Sequence, residues 1–355
     1  MKTAGFDIPR TMRVAMTREP GQARIEQMPV PEIGPGDLLV KTAVVGVCAG
    51  DTASWYVARK VPAVLGHEPS GTIVAVGDDV PGLEPGDRVF FHHHAPCFEC
   101  RDCRAGRHTV CKTWRSSRLD PGALAEYVRV PAENVADTLR LPDNVSFEDA
   151  ALVEPLACCV KAYRRLSLQP GESVLVIGLG SMGQLLVALA KGLGAGPIIG
   201  ADFVASRRKK ALELGCTAVV DPSAENLPDA IRAVNEGRLA DIVIVGPGDV
   251  RAMQSGLEAT QPGGRWCSFW PTPEGVELPI SPFDCYFREI TLHFAYSCGP
   301  TDTEAALEWI HRGLVRAKDF VSHRFPLEEC ERAFDITKAA GDSLKALVIV
   351  DPGSP

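Results

Sequence analysis

Between residues 12 and 130 the chain alternates short apolar runs with turn signals. The runs fall at residues 38–45, 72–76 and 88–91, and Pro35-Gly36-Asp37, Gly77-Asp78-Asp79 and Pro85-Gly86-Asp87 lie around them. Short runs punctuated in this way predict an all-β region folded as a distorted barrel, behind a loose arm of eleven residues. After Asp149 the pattern changes. Residues 150–152 and 158–163 read as helical, and a buried strand follows at 173–177. Strands at 198–202, 218–221, 241–245 and 266–270 then alternate with helices at 184–193, 207–214, 227–235 and 249–259. Short apolar strands separated by helices imply a parallel sheet covered on both faces. A last helix at 302–316 and a terminal strand at 346–350 have no place in that sheet and are expected to return to the first domain. The expected division is a discontinuous β-rich domain, 1–155 with 296–355, around an α/β doubly wound domain, 156–295.

Composition narrows the classes of function. Hydrophobic residues at 45% and charged residues at 23% suit two ordinary globular domains in 355 residues. A formal net charge of -8, with no basic stripe, argues against nucleic acid as a partner. No apolar stretch approaches the roughly 20 residues needed to span a bilayer, so no membrane partner is expected. The opening Met1-Lys2-Thr3-Ala4-Gly5-Phe6-Asp7 lacks a charged-then-apolar leader, which points to the reducing cytoplasm.

That setting matters for the cysteines. Cys97, Cys100, Cys103 and Cys111 are separated by two, two and seven residues. Such gaps let one loop wrap the four corners of a zinc tetrahedron, and a reducing compartment favours metal over disulfide. A closed four-thiolate site folds a loop and leaves no open position for chemistry.

Gly178-Leu179-Gly180-Ser181-Met182-Gly183 directly follows the first buried strand and opens a helix. Gly178 permits the tight turn, Gly180 lets a pyrophosphate approach the backbone, and Gly183 lets helix and strand pack closely. Residues 178 and 180–183 thus line a dinucleotide site, with the helix N-terminus facing the phosphates. Asp202, at the tip of the second strand, is placed to hold ribose hydroxyls and repel a 2′-phosphate, which favours NAD. Arg207, followed by Arg208, Lys209 and Lys210, supplies either a stacking partner for adenine or a cation that would welcome NADP.

A second metal constellation is spread along the chain. Cys48 ends a β run, Gly66-His67-Glu68 offers an imidazole beside a carboxylate, and Glu154 adds another carboxylate. A thiolate, an imidazole and a carboxylate make a three-ligand zinc site with an open position.

Taken together these residues resemble the zinc-dependent medium-chain alcohol dehydrogenases, nearest the sorbitol/polyol and threonine dehydrogenase branch. The similarity rests on Cys48 with Asp51, Gly66 to Glu68, the four cysteines, Glu154-Pro155-Leu156, and Gly178 to Gly183 with Asp202. It implies a GroES-like catalytic domain, a Rossmann domain, two zinc ions per chain, and a homodimer or homotetramer. By resemblance, Cys48, His67 and Glu68 bind the catalytic zinc, Glu154 is a fourth ligand or reaches the ion through water, and Asp51 orients the site. The implied reaction is hydride transfer between NAD and a secondary alcohol or polyol and its ketone. An NADPH-dependent carbonyl reductase and a catalytically inert relative are the alternatives.

The chain departs from that pattern in two places. Gly50 and Ala53 stand where relatives carry a relay hydroxyl and a histidine, so Thr52, Ser54, His94 or Glu154 must move the proton; His94 and Glu154 are preferred, working through a metal-bound water. Residues 292–297 lack the arginine that polyol dehydrogenases place there, and Trp55, Tyr56 and Trp114 are expected to line an aromatic pocket suited to a smaller alcohol.

Overall fold

The computed structural model describes all residues except Met1, Ala4, Phe6, Ser354 and Pro355. Contacts divide the chain into two units, Met1–Ala157 with Cys298–Pro355, and Cys158–Ser297.

The first unit is β-rich. Its larger sheet runs in the order Val321–Pro326, Lys345–Ile349, Leu38–Gly46, Glu68–Val76, Arg88–Phe91, Thr138–Arg140, and Tyr127–Val130 also pairs with Leu38–Gly46. A smaller sheet joins Gln22–Pro29, Thr11–Glu19 and Ala63–Val64. The strands Leu38–Gly46 and Glu68–Val76 are buried nearly throughout because both faces are covered. Their side chains, with Phe91, Leu124, Phe334 and Val348, form one continuous core. The terminal strand Lys345–Ile349 pairs antiparallel with Leu38–Gly46, so a residue near the end of the chain lies beside Gly46.

Three expectations for this unit need correction. Of the supposedly loose arm, Lys2–Thr3 pairs with Val76 and Ala75, and Thr11 already begins a strand; Met1, Ala4 and Phe6 lie outside the described residues. The helix expected over 302–316 ends at His311, and a separate short helix, Ala317–Phe320, begins after Arg316. Trp114, expected in a substrate pocket, is 1% exposed and packs with Cys103 and Cys111 inside the four-cysteine loop.

The second unit is a six-stranded parallel sheet. Numbered in chain order within it, the strands stand 3-2-1-4-5-6, the doubly wound arrangement that binds dinucleotides. Val174–Ile177 lies centrally and is wholly buried, which is why its four residues are all apolar. Helices Ser181–Gly192, Ala205–Leu214, Leu227–Val234 and Val250–Glu258 connect the strands. The strand Thr260–Ser268 starts six residues earlier than its apolar run suggests, because it continues through Pro262-Gly263-Gly264, which read as a turn.

Candidate active site and cofactor cradle

Cys48 closes the strand-to-turn junction that precedes the short helix Ala49–Asp51. Its sulfur accepts the Gly50 N–H at 3.3 Å, which fixes the side chain at the turn. The Cys48 N–H in turn donates to Asp51 Oδ2 at 3.3 Å, while Asp51 Oδ1 lies 3.3 Å from His67 Nδ1. One buried carboxylate therefore fixes both the cysteine backbone and the histidine ring. Burial alone would lower the His67 pKa, but Asp51 and Cys48 outweigh it and raise it well above its ordinary value.

Glu68 is fully buried beneath Gly46. A Cβ on Gly46 would stand 2.0 Å from Glu68 Oε2, so only glycine lets the carboxylate lie there. Lys345 Nζ donates to both Glu68 oxygens, at 2.8 and 2.7 Å, and the lysine is 2% exposed. Burial raises the Glu68 pKa, and Lys345 offsets only part of that rise, to which the Glu154 charge adds; burial lowers the ammonium, but the carboxylate outweighs it and the lysine stays charged. Ligand atoms of Cys48, His67 and Glu68 lie within 4.8 Å of one another. A thiolate, an imidazole whose other nitrogen meets a carboxylate, and a buried carboxylate suit a zinc ion with an open position.

Glu154 lies near enough to that trio for its charge to raise the Glu68 pKa, and its carboxylate also groups with His92 and His93, all within 4.8 Å. His94 Nδ1 meets the Ser117 carbonyl at 2.6 Å, and its ring lies between those of His93 and Trp114, at 4.2 and 4.3 Å, so its Nδ1 is committed to the base of the cysteine loop. Burial, with His92 adding, lowers His94 to about 3, which keeps it neutral at physiological pH. Of the remaining relay candidates, the Thr52 hydroxyl donates to the Ala49 carbonyl at 3.0 Å and Ser54 is exposed.

The four cysteines of the loop also converge. Sγ–Sγ separations of 3.4, 3.7 and 3.9 Å match the roughly 3.8 Å edge of a tetrahedron with ~2.3 Å zinc–sulfur bonds. The backbone N–H groups of Cys97, Cys100 and Cys103 point at neighbouring sulfurs, at 3.4–3.5 Å, as a set of thiolates requires.

In the second unit, a Cβ on Gly183 would meet the Gly178 carbonyl at 2.0 Å, so the helix can approach the strand only through glycine. Ser181 Oγ, at the first turn of that helix, is buried and has no hydrogen-bond partner among the described residues, which leaves a donor for a phosphate. Asp202 accepts from the Leu179 and Val204 N–H groups at 2.7 and 2.8 Å, tying the glycine loop to the tip of the second strand. Arg207 lies over Gly180 and 3.9 Å from Asp202, and Met182 follows Ser181 in the helix. Arg208 is held by the Asp202 carbonyl and the Asp221 carboxylate.

Comparison with known proteins decides the family. Residues 34–143 match the alcohol dehydrogenase GroES-like domain, and residues 181–312 match the zinc-binding dehydrogenase domain. The sorbitol dehydrogenase of Homo sapiens is 34% identical over 344 residues, 94% of either chain. This chain belongs to the zinc-dependent alcohol dehydrogenase family. It is an oxidoreductase with a GroES-like domain and a Rossmann domain. A "Probable D-xylulose reductase A" of Aspergillus clavatus is 33% identical over 340 residues, 92% of this chain and 93% of that one. A Sinorhizobium meliloti protein described as a zinc-binding dehydrogenase and solved with NADP superimposes with a TM-score of 0.86. It is 30% identical and aligns over 96% of this chain and 99% of its own.

Within this dehydrogenase, sequence reasoning missed Lys345, His93 and Cys298. Lys345 meets Glu68 across 277 residues, and no local motif announces such a pair. His93 was hidden among three consecutive histidines, whose geometry is set by where each ring turns. Cys298 Sγ lies 3.6 Å from His92 Nε2 across 206 residues, a contact that no local motif announces.

Proposed function

We propose that this dehydrogenase oxidises a secondary alcohol or short polyol with NAD, and that Cys48, His67 and Glu68 hold the catalytic zinc. The convergence of these three donors, each fixed by a second buried group, carries the reading. A bound zinc ion supplies a Lewis acid that polarises the substrate oxygen, and a bound nicotinamide supplies the hydride acceptor. Asp51 holds Cys48 and His67 in place, and Lys345 orients the Glu68 carboxylate and opposes the rise in its pKa that burial causes. Glu154 accepts the alcohol proton, since neither Gly50 nor Ala53 offers a hydroxyl or imidazole. Cys97, Cys100, Cys103 and Cys111 hold a structural zinc, and a site of four reduced thiols suits the cytoplasm. The stretch from Leu292 to Ser297 carries no arginine, which favours a smaller substrate than a hexitol.

The test is NAD reduction by the zinc-loaded enzyme over a panel of secondary alcohols, diols and polyols, repeated with NADP. A short-chain secondary alcohol or diol is expected as the best substrate. Failure on every alcohol and ketone would make the chain an inert relative, and faster turnover with NADPH would make it a carbonyl reductase.

Cofactor choice turns on Asp202 against Arg207. Asp202 occupies the strand tip where the adenosine ribose binds, and its charge disfavours a 2′-phosphate. Asp202→Ala is expected to raise the NADP:NAD ratio of kcat/KM roughly 10- to 100-fold, the worth of a lost charged hydrogen bond and the lifted repulsion. An unchanged ratio would remove Asp202 from cofactor selection.

A second copy of the chain is the proposed partner. Strand Thr291–Phe294 ends its sheet with a free edge, flanked by exposed Phe283, Tyr286, Phe287 and Phe294. Antiparallel pairing of this strand with its own copy about a two-fold axis satisfies the edge and covers the aromatic side chains.

A further inference from the structure

The three consecutive histidines are held in different ways. His92 is completely buried. Its N–H donates to the Asp137 carbonyl at 3.1 Å, its carbonyl accepts from Asn134 Nδ2 at 3.0 Å, and its Nδ1 lies 2.6 Å from Asp137 Oδ2. Asp137 is itself fixed by the Thr303 hydroxyl, which donates to Oδ1 at 2.6 Å. On the other side, His94 Nδ1 donates to the Ser117 carbonyl at 2.6 Å, and the Ala95 N–H donates to Ser117 Oγ at 3.0 Å. The chain is therefore locked on both sides of His93, while the His93 ring is left free. That ring is partly exposed, and its buried Nδ1 has no hydrogen-bond partner among the described residues.

We propose that His93 is a specificity-determining residue, which hydrogen-bonds a hydroxyl on the carbon next to the reacting one and so makes a vicinal diol the preferred substrate over a simple secondary alcohol. This rests on the zinc site proposed above for Cys48, His67 and Glu68. The His93 ring centroid lies 5.1 Å from that of His67, and its ligand nitrogen lies within 4.8 Å of the Glu154 carboxylate. Asp51 occupies Nδ1 of His67, which leaves Nε2 for the ion and puts the reacting oxygen on the same side as His93. At that separation the group within reach of His93 belongs to the neighbouring carbon.

The chemistry of the imidazole says what that group is. A buried nitrogen without a partner is costly in the free enzyme; a substrate hydroxyl removes the cost and a methyl group does not. A hydroxyl both donates and accepts, which matches the N–H and the lone pair of an imidazole. A substrate carboxylate in the same place would be repelled by Glu154, which argues against a hydroxy acid. Because His92 and His94 already fix the chain around it, His93 loses little freedom when it takes up the substrate.

The experiment compares kcat/KM of the zinc-loaded, full-length enzyme with NAD for butane-2,3-diol, butan-2-ol and 3-aminobutan-2-ol, in wild type, His93→Phe and His93→Gln. Wild type is expected to favour the diol over butan-2-ol by about 10- to 100-fold, less than a wholly buried hydrogen bond would give because His93 is partly exposed. His93→Phe keeps an aromatic ring without its nitrogens and is expected to bring that ratio to within about threefold of one, whereas His93→Gln, with an amide donor and acceptor, should hold it above about fivefold. Both substrates are measured on the same sample, so any loss of folded or zinc-loaded enzyme cancels in the ratio. A ratio unchanged in His93→Phe overturns the proposal. So does the loss of one zinc per chain in that variant, read by elemental analysis, since His93 would then be a metal ligand. Faster turnover of 3-aminobutan-2-ol than of the diol would assign the position to an ammonium and overturn it as well. Equal rates on diol and butan-2-ol in wild type overturn the proposal and leave the dehydrogenase reading standing, whereas no turnover of any of the three overturns both.

Discussion

Replacing Cys48 by alanine is expected to reduce kcat by about a thousandfold or more, remove one zinc per chain, and leave NAD affinity within about twofold of wild type. The size follows from what the ion contributes. A Lewis acid on the reacting oxygen stabilises the developing charge by several kcal/mol, and each 1.36 kcal/mol is a factor of ten in rate. Cys48 is the one soft ligand of its trio, and its sulfur already accepts the Gly50 N–H. Without it, His67 and Glu68 remain, and Glu68 reverts to Lys345, which holds both its oxygens. NAD affinity is spared because Gly178 to Gly183 and Asp202 all belong to the unit Cys158–Ser297, whereas Cys48 belongs to the other. Cys48→Ser separates metal loss from local damage. Its hydroxyl can still accept from Gly50 but is a poor zinc ligand, so it should lose activity as fully as alanine. Turnover retained in either variant would take Cys48 out of the metal site.

What could be read from the chain follows the range of the interactions involved. The cysteine loop and the glycine turn are local: four thiols within fifteen residues, and three glycines at one strand-to-helix corner, have few other uses. The alternation of strands and helices is also local, and the parallel sheet follows from it. The misread features depend on distant packing. Trp114 is aromatic and lies near the site in sequence, but its ring is the core around which the four cysteines fold. His92, His93 and His94 are consecutive, yet one turns to Asp137, one groups with Glu154 and one turns to Ser117. No periodicity distinguishes them, because they leave a strand end where alternation stops. Lys345 reads as an ordinary charge at the start of an apolar strand; its burial follows only from the pairing of that strand with Leu38–Gly46. The buried carboxylate it meets would otherwise carry an uncompensated charge in the core, so the first domain cannot be understood without the last residues of the chain.

Cys103→Ser is expected to act on stability and hardly at all on chemistry. The loop from Cys97 to Cys111 has little apolar material of its own. Its core is Trp114 packed against Cys103 and Cys111, with Cys97 and Cys100 at its edge. Its regular structure is limited to the single turn Arg101–Arg104 and the short segment His108–Val110. Such a segment cannot offset its own ordering entropy by burial, so metal binding supplies the difference and becomes folding free energy. Cys103 is 7% exposed, and its sulfur lies 3.4 and 3.9 Å from those of Cys100 and Cys97, so serine there removes one corner and leaves a buried hydroxyl in its place. A loss of about 3 kcal/mol, well short of the whole binding energy, lowers Tm by roughly 6–12 °C in a unit of this size. Differential scanning calorimetry reads that shift, and elemental analysis should show one zinc fewer per chain. The kcat of the folded fraction should stay within about twofold of wild type, because the loop sulfurs are saturated by one another and leave no open position for substrate. A variant with unchanged Tm and full zinc content would show that the four thiols do not hold an ion. One that kept its Tm and lost kcat instead would move the loop from scaffold to active site.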